Sequence, residues 1–574
     1  MSARADVSPA DMSPAAMSPA DMSSADVSDA SRDGRPVRLL FAGGPIHPVA
    51  GPDLPQAVAV AGDTILEVGS LADCRAALGR GHQEVDLASA TLVPGFIDAH
   101  CHPLMLGQTD SWVDVSPARA PDIPALVKLL RQQAAVLPSG EPLRAYGYNH
   151  RALPERRHPG AADLDQAAAD REIYVMNQSG HGGVLNSVGL AVHGITASTP
   201  DVPGGHIGRY PDGRPDGLVM DAACDLITGE GGVKLGRHGP NLHLPPAPGD
   251  AARWLAHAQR AFLAAGVTSL IDAQVSQREF TAYTHALADG RLHVRTGMRI
   301  ISSYLPELLA LGVGGPLGGD LLNVTGVKIY ADGTLGGWTA WFPCGYHGEH
   351  ETTGLLYHTP EELADIIARA HQAGLPTGTH AQSPGAIGLV VEAVEQVQGR
   401  LGRRVRHTVE HCGLPTPELV QRMARAGIQP VMQPAHHASF GDGVLAAVGE
   451  ELGQRYNPAG DYLALGMLPA LSSDAPVTPP DPLGAIRAAV TRRTGAGVPL
   501  GGSQLRLNVA SALAAHTVAA ARAAGTAMRV GSLEPGKLAD LTVLDADPLR
   551  MAPAQLDRVR VAQTWIGGTL RYQR

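Results

Sequence analysis

Short apolar runs alternate with longer segments of helical periodicity through the second half of the chain. The segments PEELADIIARAHQAG, AIGLVVEAVEQVQG and PELVQRMARAG have the amphipathic pattern of helices, and each leads into a short run of β-type residues. Repeated alternation of strand and helix is typical of a parallel sheet covered by helices. The pattern therefore predicts an α/β fold with a (β/α)8 TIM-like barrel.

Four apolar runs compete for the second and third barrel strands: LRAYGY, EIYVMN, VTSLIDA and HVRTGMRII. We favour the last two, since they continue the alternation directly into the strand VKIYADG. The first two are then assigned to an insertion over residues 112–250, after the first barrel strand. We expect this insertion to cover the open end of the barrel.

The two ends of the chain have a different texture. Residues 36–91 and 530–574 contain short β-type runs between Gly, Asp and Pro, which predicts one discontinuous sheet domain built from both termini around a barrel over 92–529. Residues 1–35 repeat a Met-Ser-Pro-Ala-Asp theme without large apolar side chains, which predicts a disordered low-complexity tail. Because the tail lacks the apolar core of a secretory signal, we expect a cytoplasmic protein.

Polar residues stand at the ends of several predicted strands. The run TLVPGFIDAHCHP places His100 and His102 on one face of a strand, with Cys101 on the other. In a chain with 24 histidines such a pair could be incidental. It gains weight because other strands also end in polar residues, as barrel active sites require: Lys328, His380, His411 and Asp474.

Converging imidazoles predict a centre for one or two divalent metal ions. Neutral histidines suit zinc best, with manganese or iron as alternatives, and a bound metal can activate water and polarise a carbonyl group. A buried Lys328 could react with carbon dioxide to form a carbamate that bridges two metals, or it could instead pair with Asp332. Asp474 could carry a proton from water to a leaving nitrogen, or simply cap a helix.

The composition of the chain limits the classes of binding partner that we expect. The 574 residues are 44% hydrophobic and 17% charged, with a formal net charge of -10, so nucleic acid is not an expected partner. No run approaches the roughly 18 apolar residues of a membrane helix. We expect a small-molecule substrate, and a homodimer is left open.

The motifs VPGFIDAHCHP, VKIYADGTLGG, TVEHC, SSDAPV and EPGKLADLTVLDADP resemble the amidohydrolase superfamily. The closest resemblance is to amidohydrolase family 3, its branch of YtcJ-like proteins and N-substituted formamide deformylases. Position by position, the resemblance implies metal ligation by His100, His102, His380 and His411, a carboxylated Lys328 and a catalytic Asp474. It also implies a terminal β-sandwich, and a catalytic His181 that could polarise the substrate carbonyl oxygen.

Two segments depart from the family pattern. Gln382, Ser383 and Pro384 replace the usual x-Gly-Asp after His-Ala, which removes a carboxylate that could orient a ligand. Trp338 stands where an Arg is common, with Trp341 nearby. These indoles could bind a neutral or aromatic substrate group or could pack in the core, and His436 is a further candidate for substrate binding.

The sequence thus predicts a metal-dependent hydrolase of a non-peptide C–N bond, acting on a linear N-substituted amide or formamide. A deaminase or cyclic-amide hydrolase of the same superfamily is the nearest alternative. A non-catalytic metal-binding or regulatory barrel protein is the alternative from another class.

Overall fold

The computed structural model describes residues 37–51 and 54–574, so the predicted tail over residues 1–35 lies outside the described residues. The N-terminal part forms a four-stranded sheet and one helix, with bounds β1 (Arg38–Ala42), β2 (Ala57–Ala61), β3 (Thr64–Gly69), α1 (Leu71–Leu78) and β4 (Gln83–Asp86). The sheet order is β3-β2-β1-β4. Cys74 and Leu78 of α1 pack on Leu40 and Ala59 of the sheet.

The chain continues through β5 (Thr91–Pro94) and enters the barrel at β6 (Phe96–Cys101), which is followed by α2 (Pro103–Thr109). An insertion follows, with bounds β7 (Val113–Asp114), α3 (Ile123–Ala134), β8 (Leu143–Tyr148), α4 (Ala161–Asp165), β9 (Ile173–Asn177), β10 (Gly182–Leu185), α5 (Ser187–Val192), β11 (Gly205–Arg209) and β12 (Pro215–Asp221). Its six strands form a separate sheet in the order β11-β12-β10-β9-β8-β7. The runs LRAYGY and EIYVMN are therefore β8 and β9 of this sheet, outside the barrel as expected.

The remaining barrel elements alternate along the chain as predicted. Their bounds are α6 (Asp250–Ala264), β13 (Val267–Val275), α7 (Gln277–Ala288), β14 (Arg295–Ile301), α8 (Leu305–Ala310), β15 (Leu317–Gly318), β16 (Leu322–Tyr330), α9 (Pro360–Ala373), β17 (Thr377–Ala381), α10 (Pro384–Leu401), β18 (His407–His411), α11 (Pro417–Ala426), β19 (Gln429–Met432), α12 (His436–Gly453), α13 (Ala459–Ala464), β20 (Ala470–Leu471), α14 (Pro482–Thr491), α15 (Val509–Ala514) and α16 (Ala520–Ala524).

Eight parallel strands make a nearly closed barrel in the order β6-β13-β14-β16-β17-β18-β19-β20. VTSLIDA and HVRTGMRII are β13 and β14, so the choice between the four runs is confirmed. Two backbone hydrogen bonds join the segment after the last strand to the end of the first: the Asp474 N–H donates to the His100 carbonyl at 2.9 Å, and the His102 N–H donates to the Ala475 carbonyl at 2.8 Å.

Three barrel helices begin immediately with a capping residue and a proline. Thr359, Ser383 and Thr416 accept hydrogen bonds at the N-termini of α9, α10 and α11, and Pro occupies the first helical position of each. Ser383-Pro384, the departure from the family pattern, is thus the start of α10. Ser383, the capping residue, ends the loop between β17 and α10, three residues after His380.

The C-terminal segment forms β21 (Leu541–Leu544), β22 (Val561–Ile566) and β23 (Thr569–Gln573). These strands build a second four-stranded sheet with β5, in the order β23-β22-β21-β5. Side chains from both terminal regions, including Phe41, Val58, Leu541 and Trp565, share one buried cluster. Within the described part of the chain, no helix is long and apolar enough to cross a membrane.

Candidate metal centre

The predicted polar residues converge at the carboxyl ends of the barrel strands. His100 lies near the end of β6 and His102 directly after it, while Lys328, His380 and His411 lie at or near the ends of β16, β17 and β18. Asp474 follows β20. Because neighbouring parallel strands end at the same rim, residues far apart in sequence become neighbours there.

Asp474 lies at the centre of the group. Its Oδ1 is 3.5 Å from Nε2 of His100 and 3.3 Å from Nε2 of His102. Its Oδ2 is 3.9 Å from Nδ1 of His411 and 3.6 Å from Nε2 of His436. Two triads therefore have ligand atoms within 4.8 Å of one another: His100, His102 and Asp474, and His411, His436 and Asp474. Asp474 does not cap a helix.

In three of the imidazoles one ring nitrogen is bonded to a residue outside the group. His100 Nδ1 is 2.5 Å from Glu410 Oε2, and His411 Nδ1 is 2.9 Å from Gln433 Oε1. His380 Nε2 is 3.0 Å from the Gly333 carbonyl oxygen, while its buried Nδ1 has no hydrogen-bond partner among the described residues. Such outer bonds select the tautomer and ring orientation of metal-binding histidines.

Burial keeps these imidazoles neutral. It lowers the pKa of His100 to about 4, and it lowers the pKa values of His380 and His411 well below the ordinary value. Neutral imidazole nitrogens and a carboxylate form a donor set that suits a divalent transition metal. The residues present thus fit the metal that the fold class implies.

Lys328 is fully buried at the centre of the barrel. Its Nζ has no hydrogen-bond partner among the described residues and lies 4.4 Å from the ring centre of Tyr330, which stacks on His380 at 5.1 Å. Burial lowers the pKa of Lys328 to about 8. The alternative pairing partner, Asp332, instead accepts backbone hydrogen bonds from Trp341, Gln382 and Ser383.

Glu410 is a residue of the centre whose role the sequence did not reveal. It is completely buried, it bonds His100 Nδ1, and its other oxygen accepts hydrogen bonds from Arg299 and Thr408. Burial opposes its charge, but Arg299 and His100 hold the pKa of Glu410 well below its ordinary value. A charged residue inside the buried strand β18, directly before His411, was the available signal.

A small cavity opens onto the centre. Its lining combines the polar residues Ser179, His181, Thr334, His380, Gln382, His411, His436 and Asp474 with Leu335, Gly336, Phe440, Tyr456 and Val477. A larger groove lies outside the barrel beside α6 and α7, and its lining contains no predicted site residue. The cavity at the barrel rim is therefore the place where a substrate would meet the histidines.

The candidate substrate residues fall into two groups. His181 and His436 line the cavity, with the His181 ring 5.5 Å from that of His380. Trp338 lies outside the lining, stacked on Tyr346 at 5.0 Å with the Arg151 guanidinium 4.0 Å from its ring centre. Trp341 also lies outside the lining, beside Gly385 of α10. Substrate binding by these residues stays a prediction.

Comparisons with known proteins agree with this architecture. The model of the amidohydrolase family matches residues 83–572. The chain is 28% identical to N-substituted formamide deformylase of Arthrobacter pascens over 533 residues, which cover 90% of this chain and 95% of that protein. It is also 28% identical over 499 residues to YtcJ of Bacillus subtilis (strain 168), which is named as an amidohydrolase, covering 86% and 91% of the two chains.

A solved structure shows the same fold. The crystal structure of an uncharacterized metal-dependent hydrolase of Pyrococcus furiosus is 23% identical and covers 89% of this chain and 100% of its own, with a TM-score of 0.70. The family match spans the barrel strands and the strand ends that carry the candidate ligands. The chain therefore belongs to the amidohydrolase family.

Proposed function

We propose that this protein hydrolyses a linear N-substituted amide or formamide. The observation that carries the proposal is the approach of Asp474 to Nε2 of both His100 and His102, at 3.5 and 3.3 Å. The similarity to N-substituted formamide deformylase supports the same substrate class.

The residues of the centre have two roles in the proposed reaction, metal binding and proton transfer. His100, His102, His380 and His411 would hold one or two divalent ions, with zinc favoured, together with Lys328 as its carbamate. A metal held there lowers the pKa of water towards about 7 and acts as a Lewis acid. Asp474 takes a proton as water attacks the carbonyl carbon and returns it to the leaving nitrogen.

The cavity favours a neutral substituent on the substrate nitrogen. Leu335, Phe440, Tyr456 and Val477 supply apolar surface, and no Lys or Arg is among the described residues that line it. A carboxylate on the N-substituent would therefore lack a cationic side chain as its partner. We infer a small-molecule substrate with an apolar or aromatic N-substituent, which His436 would contact.

We further propose the arrangement of the whole protein. The two terminal sheets would form one discontinuous β-sandwich over residues 36–91 and 530–574, and the insertion over 112–250 would cover the site of a barrel spanning 92–529. The proposed location of the protein is the cytoplasm, and a homodimer is one candidate for its assembly.

Metal analysis combined with a screen of N-formyl and N-acyl amines tests the function. We expect the wild-type protein to release an amine and an acid; release of ammonia or a ring-opened acid would instead favour the deaminase or cyclic-amide alternative. His100→Ala should lose both metal and turnover, whereas Asp474→Asn should lose turnover and keep the metal. Wild-type activity in either variant would contradict the role assigned to that residue.

A further inference from the structure

Asp221 is a buried carboxylate directly behind His181. It ends β12 of the insertion and adopts a φ of 54°, a left-handed conformation that residues other than glycine rarely take. Its backbone N–H donates to the His181 carbonyl at 2.6 Å, and its Oδ1 lies 2.8 Å from His181 Nδ1. The two residues are thus joined through both backbone and side chain.

The same carboxylate connects the insertion to the barrel. The Tyr357 hydroxyl, in the loop between β16 and α9, donates to Asp221 Oδ1 at 2.6 Å. Burial raises the pKa of Tyr357 well above its ordinary value, so the hydroxyl keeps its proton and acts as the donor. Asp221 therefore acts as an acceptor towards both partners.

This arrangement determines which nitrogen of His181 carries hydrogen. A carboxylate only accepts, so Nδ1 of His181 is the protonated nitrogen that donates to Asp221. In an imidazole with its hydrogen on Nδ1, Nε2 keeps its lone pair, and His181 lines the cavity next to His380. In this tautomer Nε2 of His181 can accept a hydrogen bond from the substrate. Polarising a substrate carbonyl oxygen would instead require a hydrogen-bond donor at this position.

We propose that Asp221 is a positioning residue that holds His181 in this tautomer, so that Nε2 accepts a hydrogen bond from the N–H of a secondary amide. The inference rests on the proposed amide hydrolase function and narrows its substrates to amides that bear one N-substituent. An N,N-disubstituted amide has no N–H to donate, so the site would bind it without this hydrogen bond.

Two matched substrates test the inference: an N-alkyl formamide and its N-methyl-N-alkyl counterpart. We expect the metal-loaded wild-type protein to have a higher kcat/KM for the secondary amide than for the N-methyl counterpart. Asp221→Asn should reduce the ratio of the two kcat/KM values about tenfold, because the loss of one hydrogen bond has an effect of that size. The Asn amide can donate to Nδ1 and so move the ring proton to Nε2. His181→Phe should reduce the preference to the same extent. The variant that carries both substitutions should lose no more of the preference than either single variant.

Glu172→Gln is the matched control. Glu172 Oε1 lies 3.0 Å from Nε2 of His193 in the same insertion, away from the residues that line the cavity. This variant should keep the wild-type substrate preference. A preference that persists unchanged in Asp221→Asn and His181→Phe would reflect crowding by the methyl group and would overturn the inference.

The NMR chemical shifts of the imidazole nitrogens in the metal-loaded protein provide a measurement that does not depend on turnover. The His181 signal, identified by its absence in His181→Phe, should report hydrogen on Nδ1 in the wild type and on Nε2 in Asp221→Asn. The same protonation pattern in both proteins would contradict the role of Asp221. Failure to hydrolyse either amide would contradict the proposed function, and the nitrogen shifts would still decide the role of Asp221.

Discussion

At the scale of single residues, the orientation of His100 depends on Glu410. The Glu410 side chain joins His100 to Arg299 inside the barrel, where all three side chains are buried. A charged pair of this kind is costly to break, because the partner that remains is left buried without compensation.

We therefore expect Glu410→Gln to weaken both metal binding and stability. The affinity for zinc should fall roughly 10- to 100-fold, since outer-sphere partners of ligating histidines have effects of that size. The loss of charge beside Arg299 should lower the free energy of unfolding by about 3 kcal/mol. Zinc titration and urea unfolding measure the two effects.

Glu395→Gln is the comparison for Glu410→Gln. Glu395 pairs with Arg422 on the partly exposed surface, with N and O atoms 2.7 Å apart. Its loss should change stability by about 1 kcal/mol or less and leave zinc affinity unchanged. Equal zinc affinity in Glu410→Gln and the wild type would show that Glu410 does not orient His100.

At the scale of secondary structure elements, β17 has a glycine where the buried ion pair crosses the barrel. A Cβ atom on Gly378 would collide with Nη1 of Arg299 and lie 2.9 Å from Oε1 of Glu410. The absence of a side chain at the second residue of this strand therefore provides the space for the pair. His380, two residues further along β17, can then face the same interior.

We expect Gly378→Ala to displace Arg299 and lower the free energy of unfolding by about 1 to 3 kcal/mol. Gly399→Ala, on the exposed side of α10 where a Cβ meets nothing within 4 Å, should instead raise it by about 0.5 to 1 kcal/mol. Urea denaturation compares the two variants. A Gly378→Ala protein as stable as the wild type would mean that the ion pair tolerates displacement.

At the scale of the whole molecule, buried histidines make the fold sensitive to acid. Burial lowers the pKa values of six histidines outside the metal centre to between about 2 and about 4: His150, His158, His243, His358, His407 and His516. Below pH 6.5 the unfolded chain binds protons at these positions and the folded protein does not, so stability falls as the pH decreases towards 4.

Raised carboxyl pKa values oppose this effect. Burial raises the pKa values of Asp98 and Asp332 to about 6, so the folded protein binds protons there before the unfolded chain does. Burial also raises the pKa of Asp272 well above its ordinary value, so this group acts in the same direction. These three groups favour the fold as the pH decreases, but six histidines each contribute up to about 2 kcal/mol in the other direction at pH 5.

We thus expect the metal-free protein to be less stable at pH 5 than at pH 7, by at least roughly 2 kcal/mol. Urea unfolding at the two pH values, in the presence of a chelator, measures the difference without the contribution of metal binding. Equal or greater stability at pH 5 would show that the buried carboxyls outweigh the histidines.

The order of elements and the polar strand ends could be predicted from the sequence. Apolar runs, helical periodicity and Thr-Pro or Ser-Pro helix starts depend on neighbours only a few residues away, so β13, β14 and the ends of β17 and β18 are visible in the chain itself. His100, His380 and Asp474 stood out because each is a polar residue at the end of such a run.

Contacts that span the chain required the tertiary structure. Glu410 meets His100 from 310 residues away, and Tyr357 reaches Asp221 across 136 residues. Local patterns contain no information about which distant side chains share a strand rim, since barrel closure and the docking of the insertion bring them together. The sequence by itself therefore determined the barrel and its candidate ligands, whereas the tertiary structure decided which buried partners orient each imidazole.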